Sequence, residues 1–397
     1  MPQYLSPGVY VEEVSSGNKP IAGVGTSTAG FIGIAPDTLT YSSEVSLTLP
    51  EAGEAILCTN FSEFIQSFGD FGGSTSTIDT EAENNDPQLT GHSFLAHAVY
   101  GFFNNGGTRC FVARVTASDE IQTALDKFEE IDEIALVACP GITSGVAQSA
   151  LISHCEREEL QDRFAILDSP QSPASINKAG IQQDGVTDSS YAAIYFPWIQ
   201  VFDPAKSAIV SVPPSGHLVG IYARVDATRG VFKAPANELV RGALGVERVV
   251  TKALQACLDP EGINAIRKLD STIKVWCART LAANQDNEWK YINVRRLFLF
   301  LRESIDQGTQ WAVFEPNDRV LWAKLTRNIT AFLTNVWRDG ALVGSTPKEA
   351  FYVKCDAETN TQAAIDAGRV ITEIGVAVSK PAEFVIFRIS QWSGTGN

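Results

Sequence analysis

The chain has 397 residues, 44% of them hydrophobic, with 31 Lys+Arg against 46 Asp+Glu and a formal net charge of −15. This length and apolar content suffice for two or three domains with a sizeable core and exclude a disordered chain. The acidic balance argues against a nucleic-acid binder, which needs cations clustered opposite phosphates.

The charge is unevenly placed: residues 1–250 carry 13 basic and 30 acidic side chains, whereas 251–397 carry 18 and 16, which points to two regions with different surroundings. The opening MPQYLSPGVYVEEV lacks a basic segment ahead of an apolar stretch and does not read as a secretory signal. The longest apolar runs, such as Leu297 to Leu301, fall far short of the roughly 18 residues that a bilayer-crossing helix needs.

Residues 8–15, fenced by Pro7 in front and by Gly17 and Pro20 behind, read as an extended strand on a tether. TSTAGFIGIAP (26–36) reads as a buried strand and Phe61 to Phe68 as a short amphipathic helix. Between 69 and 91 the chain turns polar and rich in Gly, Ser, Thr, Asp and Asn, the composition of a long surface loop. A helix from Leu95 to Phe103 and a strand CFVARV (110–115) follow. From 119 onward helix and strand alternate: helix 119–130, strand IALVAC (134–139), helix 147–161, strand FAILD (164–168). That order predicts a βαβ unit with a parallel sheet.

YAAIYFPWIQVF (191–202) reads as one buried strand, and PPSG (213–216) starts a helix through HLVGIYARVDAT, with proline tolerated in the first turn. In the C-terminal third, Val294, Leu297, Phe298, Leu301 and Ile305 recur at helical spacing. A second helix after Pro316 carries Leu321, Leu325, Ile329, Phe332, Val336 and Trp337 on one face, with Gly340 as its C-cap. Strands FYVKC (351–355), ITEIGVAVS (371–379) and EFVIFRIS (383–390) follow, the last directly after Lys380-Pro381. The fold class expected is mixed α/β.

The residues that often carry chemistry do not converge. Seven cysteines are widely spaced without a CxxC pair and mostly embedded in apolar segments, which reads as buried free thiols. The glycines of 23–30 are spaced GxGxxxxG and precede a strand instead of following one, so no dinucleotide loop is expected. Asn104 to Arg109 reads as a tight turn. His92 and His97 lack the HExxH pattern, and together with His154 and His217 they read as solvated or capping residues. GITSG (141–145) misses the GxSxG elbow, and the acidic stretch 79–86 lacks the order of a calcium loop. No catalytic residue, metal or cofactor is expected. One charged pattern remains: Lys324, Arg327 and Arg338 fall within roughly 60° of one another on the helix after Pro316, opposite its apolar stripe. It reads either as a solvated face or as a docking face for an acidic partner.

Both chain ends are thus strands without an evident partner nearby. Each must pair within its own domain or be donated to another chain.

Three stretches resemble the contractile tail sheath family. They are YLSPGVYVEE (4–13) with PIAGVGTSTAGFIG (20–33); PPSGHLVGIYAR (213–224) with RGVFKAPAN (229–237); and YINVRR (291–296) with WAVFEPN (311–317), FYVKCD (351–356) and KPAEFVIFR (380–388). They run in order along the chain and span both ends. The resemblance implies a structural subunit of a phage, R-type pyocin or extracellular injection-system sheath. Six-fold rings would stack helically around an inner tube and contract from a metastable extended state. Val9, Tyr10, Val11, Val14 and Phe384, Val385, Ile386, Phe387, Ile389 would then lie on strands donated to neighbours. Tyr352, Val353, Ile374, Val376 and Val378 would receive such strands, and Lys324, Arg327 and Arg338 would face the tube.

A tether near 20 residues reaches about 60 Å when extended, enough to span to a neighbour. The implied domains are an arm over 1–22, an outer α/β domain over 23–250, with the joining of strand 26–36 to the inner domain as the alternative, an inner domain over 251–380 that faces the tube, and an arm over 381–397. The implied partners are further copies in hexameric rings, an inner tube protein, and baseplate and terminator proteins, with no nucleic acid and no direct membrane insertion. Assembly in the bacterial cytoplasm and then residence in a virion or tail-like particle follow from the same resemblance. The rivals are another tail component, a terminator or baseplate-associated protein, and an α/β enzyme built on 119–168.

Overall fold

Along the central strands successive side chains enter opposite layers. Phe31, Leu136, Phe164 and Tyr195 belong to one apolar cluster, and their neighbours Ile32, Val137, Ala165 and Ile194 to another. A strand with period two that is apolar on both faces must be covered on both sides. A computed structural model describes residues 20–42, 45–72, 91–182, 184–284, 286–383 and 386.

The elements begin with β1 (Ala29–Ile34), the hairpin β2 (Thr38–Ser42) and β3 (Val45–Thr48), β4 (Ile56–Cys58), α1 (Phe61–Phe68), α2 (Gly91–Asn105) and β5 (Cys110–Val115). The predicted alternation follows as α3 (Ile121–Glu129), β6 (Leu136–Ala138), α4 (Gly145–Glu156), β7 (Phe164–Asp168), the one-turn α5 (Lys178–Ile181) and β8 (Ala192–Phe196). Then come β9 (Ile199–Asp203), β10 (Ala208–Val212), α6 (Ser215–Arg229), β11 (Glu238–Leu239), β12 (Ala243–Val246), α7 (Lys252–Leu258), β13 (Ile263–Leu269) and β14 (Thr272–Val275). The chain continues through α8 (Ile292–Thr309), α9 (Arg319–Arg338), α10 (Pro347–Ala350), β15 (Phe351–Lys354), α11 (Gln362–Asp366) and β16 (Glu373–Val376).

Nine strands form one mixed sheet in the order β11-β14-β13-β8-β7-β6-β1-β5-β4. The six strands from β13 to β5 are parallel, and antiparallel pairings close both flanks: β4 on β5 at one edge, β14 and β11 at the other. Helices α1, α2 and α6 cover one face and α3, α4 and α7 the other. The stretch 191–202 is not one strand. Pro197 lacks the N–H that a ladder needs, so β8 ends in the large sheet and β9 starts a separate three-stranded sheet with β10 and β12. Strand β1 lies inside the large sheet, and β13 and β14, which follow residue 250, are hydrogen-bonded into it as well.

Helices α2 and α6 approach closely because α6 carries glycine at the contact: a Cβ on Gly216 would stand 2.3 Å from the Ala98 Cα, and one on Gly220 2.4 Å from the Phe102 carbonyl oxygen. Of the solvated or capping histidines expected, none is solvated, while His92 meets the last carbonyl of α1. His92, His97, His154 and His217 are all buried, because α2, α4 and α6 are packed in the interior of the layered body. His92 Nε2 lies 2.7 Å from the Phe68 carbonyl and His97 Nε2 3.4 Å from Asp203 Oδ2.

A second, smaller body is built from α8, α9, β15 and β16 around Leu297, Leu301, Ile329, Phe332, Leu333 and Val336. Helix α9 is capped as its sequence directs, with Asp318 Oδ1 accepting from the N–H groups of Val320 and Leu321 at 2.8 and 2.9 Å. Gly340, at φ 89°, follows its last turn. Helix α8 departs from the one-faced stripe of the sequence reading. Ile292 and Leu299 pack into the large-sheet core while Leu297 and Leu301 pack against α9, so the helix is shared by both bodies.

Candidate assembly site at the C-terminal sheet

Strands β15 and β16 pair antiparallel, Tyr352 opposite Gly375 and Val353 opposite Ile374, and no further strand joins them among the described residues. Val378 continues the line by a bridge to Leu342. A two-stranded sheet is marginal alone, and this one rests on α9 through Phe351, Val353, Ile374 and Val376. Its other face carries Tyr352, 58% exposed, whose ring lies where a Cβ on Gly375 would be, 2.1 Å from Cε1. The five residues expected to receive a strand are therefore brought together.

Beside β16 runs a groove of about 770 Å³ between the end of α8, the 312–317 loop and α9, lined by Ile305, Phe314, Leu325, Ile329, Val370 and Ile374. Phe314 is fully exposed and sits at φ 67°, a left-handed conformation uncommon for an aromatic residue. An edge strand beside an apolar trough is chemically suited to one more strand: its backbone supplies hydrogen-bond partners and the trough takes alternate side chains.

Of the residues expected on donated strands, Val9, Tyr10, Val11, Val14, Phe384, Val385, Phe387 and Ile389 lie outside the described residues. Ile386 is described; it is 77% exposed and belongs to no strand. On α9, Arg327 and Arg338 are exposed and Lys324 is half-buried, and none of the three forms an ion pair with another described residue.

The roots of both chain ends are held by charged side chains that the sequence reading did not single out. Arg296, on α8, donates to Asp226 Oδ1 at 2.9 Å and Oδ2 at 2.6 Å and to the Thr26 carbonyl at 2.8 Å. Arg295 lies over the Trp289 ring at 3.6 Å and the Tyr191 ring at 4.3 Å and donates to Ser190 Oγ. Arg279 donates from Nε and Nη2 to the two oxygens of Glu383, both at 2.9 Å, and lies 2.7 Å from Asp259 Oδ2. Burial by itself raises the Glu383 carboxyl. The hydrogen bonds and charge of Arg279, with Tyr291 and Lys290, outweigh it and hold the carboxyl below its ordinary value. Burial pushes the Asp259 carboxyl up despite Arg279.

The signal in the sequence was the pair Arg295-Arg296 inside an apolar helix, since such cations stay buried only when paired. For Glu383 there was no local signal, because its partner stands 104 residues earlier.

Among the described residues no group of three or more His, Cys, Asp or Glu is placed to hold a metal ion, and no helix is long and apolar enough to cross a membrane. All seven cysteines are unpaired, and six are buried; Cys257 is exposed.

Two family profiles match the chain: the phage tail sheath protein central domain over residues 114–281 and the phage tail sheath C-terminal domain over 284–391. A putative prophage major tail sheath protein of Pseudomonas aeruginosa is 27% identical over 238 residues, which make up 58% of this chain and 58% of that protein. The chain spans about half the length of the curated relatives it matches first. Among solved structures, a chain of the PVC sheath complex, an extracellular contractile injection system in the contracted state, is 29% identical with a TM-score of 0.76, covering 99% of each chain. A chain of the anti-feeding prophage helical sheath in the contracted state is 29% identical with a TM-score of 0.75, covering 97% of this chain and 99% of that one.

Proposed function

The chain belongs to the phage tail sheath family, and on that premise we propose that it is the subunit of a contractile sheath whose copies stack as six-fold rings around an inner tube. The observation that carries this reading is the two-stranded β15–β16 sheet, open beside an apolar groove, in a chain whose own ends run on past the described residues. The terminal strands of neighbouring copies, Val9 to Val14 and Phe384 to Ile389, complete that sheet by β-augmentation. The arms over 1–22 and 381–397 connect the copies, the nine-stranded body faces outward, and the α8–α9 body lies toward the tube.

Contraction in this reading is a change between two packings of the same subunits, driven by the energy difference between them. Lys324, Arg327 and Arg338 meet an acidic tube, a contact that screened charges make easy to break. The match of both tail sheath domain profiles, central and C-terminal, supports the sheath over a terminator or baseplate role.

The test is deletion of residues 1–15. The truncated subunit should keep the melting curve of the parent and fail to form sheaths by negative-stain microscopy. Sheaths of normal length and pitch from the truncated chain would overturn the assignment of the N-terminal arm.

A further inference from the structure

Helix α8 is gripped by residues 21–26 on one side and 379–383 on the other. On one side the N-terminal segment runs back along it. Ile21 packs on Gly308, where a Cβ would approach to 2.7 Å, and Gly23 lies against the Phe300 ring. The Val24 N–H donates to Ser304 Oγ at 3.1 Å, and the Thr26 carbonyl accepts from Arg296. On the other side the C-terminal segment is tied to the start of the same helix. Asn293 Nδ2 donates to the Ser379 carbonyl at 3.4 Å and Tyr291 Oη to Glu383 Oε2 at 3.0 Å. Arg279, itself only 7% exposed, closes the tie with its two-pronged bond to Glu383. The two roots are thereby fixed along α8 at a separation of about 25 Å, from the rise of 1.5 Å per residue between Tyr291 and Gly308.

Resting on the sheath reading above, we propose that α8 is a strut that sets the spacing of the two arms. In this role Arg279 is a positioning residue whose clamp makes Glu383 the last anchored residue before the C-terminal arm. The physical reason is slack. Without the clamp the next fixed point is Ser379, whose N–H donates to the Ala341 carbonyl at 3.3 Å, so residues 380–383 join the linker. The effective concentration of a tethered segment at its target falls roughly as the −3/2 power of linker length once the span is met. Loose register is also costly, because a slip of one residue turns every side chain of a strand to the wrong face. A bidentate Arg–carboxylate pair fixes direction as well as distance, which a single lysine contact would not.

The test compares Glu383→Lys, which places a cation against Arg279 and Lys290, with Glu383→Gln and the parent. Each is assayed as isolated subunit by thermal melting and as polymer by sedimentation and cryo-EM. The expected result is a Glu383→Gln subunit melting within about 2 °C of the parent, because Arg279 keeps its ion pair with Asp259, with a fall in polymer yield of about tenfold or more for Glu383→Lys and an intermediate yield for Glu383→Gln. Glu383→Lys polymers of parental yield and helical parameters would overturn the clamp. So would a large drop in subunit melting for Glu383→Gln, since the pair would then serve the subunit's own fold. A parent chain that forms no tubes sinks the sheath reading and the clamp with it, whereas parental tubes matched by Glu383→Lys tubes sink the clamp alone.

Discussion

Arg296 on α8 and Asp226 on α6 form a two-pronged ion pair with side chains 4% and 5% exposed, and this pair welds the α8–α9 body to the nine-stranded one. The Thr26 hydroxyl donates to the same carboxylate at 2.6 Å, and the Arg296 guanidinium lies 4.9 Å from the Tyr222 ring centre. Removing one member of a buried pair leaves the other charged and unsolvated, at a cost of about 3–5 kcal/mol. Asp226→Ala should therefore lose stability of that order in urea unfolding. Replacing both members with apolar residues, Arg296→Met with Asp226→Leu, should recover most of the loss. A loss below about 1 kcal/mol for Asp226→Ala would mean that water reaches the pair in solution.

The contact between α2 and α6 makes a second demand. Alanine at position 216 would ordinarily stabilise a helix by roughly 1 kcal/mol over glycine. Here its methyl would stand 2.3 Å from the backbone of Ala98, which no rotamer change relieves. Gly216→Ala should be net destabilising by about 1–3 kcal/mol, read as a lowered melting temperature. An unchanged or raised melting temperature would show that the two helices separate freely.

Acid should weaken the fold through its buried imidazoles. Burial pushes His217 down to about 3, with the charge of nearby His97 adding to it; burial, then the Arg163 charge, pushes His154 down to about 4. The unfolded chain then binds protons more tightly than the folded one, so stability is full above about 6.5 and is lost as pH falls toward 4, by roughly 1.4 kcal/mol per pH unit for each histidine. Asp168 works the other way. Burial raises its carboxyl to about 6 against the hydrogen bonds of Ser215 and Gly141, so its contribution is present below about 4 and is lost as pH rises through about 6. Two histidines outweigh one carboxyl, and unfolding free energies measured at pH 7, 6 and 5 should decline in that order. A flat profile would place both imidazoles in contact with water.

The central fold was legible because its signal is local. Alternation of helix and strand over 119–168 implies a parallel sheet whatever surrounds it, and α1 spans Phe61–Phe68 as its spacing predicts. What was not legible depends on contacts between distant residues. His217 looks like any helical histidine until Gly101 is packed against its ring. The split between β8 and β9 was signalled by Pro197, yet the continuous apolar run masked it. At the candidate site, strand periodicity put Tyr352 and Val353 on one strand and Ile374 and Val376 on another, and that the two share a sheet came only from the resemblance. The arginine ties of Arg279 and Arg296 join residues 104 and 70 positions apart, so nothing local in the sequence names their partners.

The cation face of α9 gives the most direct probe of the proposed tube contact. Arg327 and Arg338 are exposed and Lys324 half-buried, without ion pairs to other described residues, so reversing their charge should leave the subunit's stability within about 0.5 kcal/mol. If this face meets an acidic tube, Lys324→Glu with Arg327→Glu replaces attraction by repulsion across the contact. Co-assembly on the tube should then fall steeply at low ionic strength. Raising salt should narrow the gap between variant and parent, because exposed charges are screened beyond about 8 Å at 0.15 M. Both effects are read by pelleting tube and sheath together over a salt series. Equal pelleting of variant and parent at the lowest salt would remove α9 from the tube interface while leaving the strand-donation reading intact, since that rests on β15, β16 and the arms.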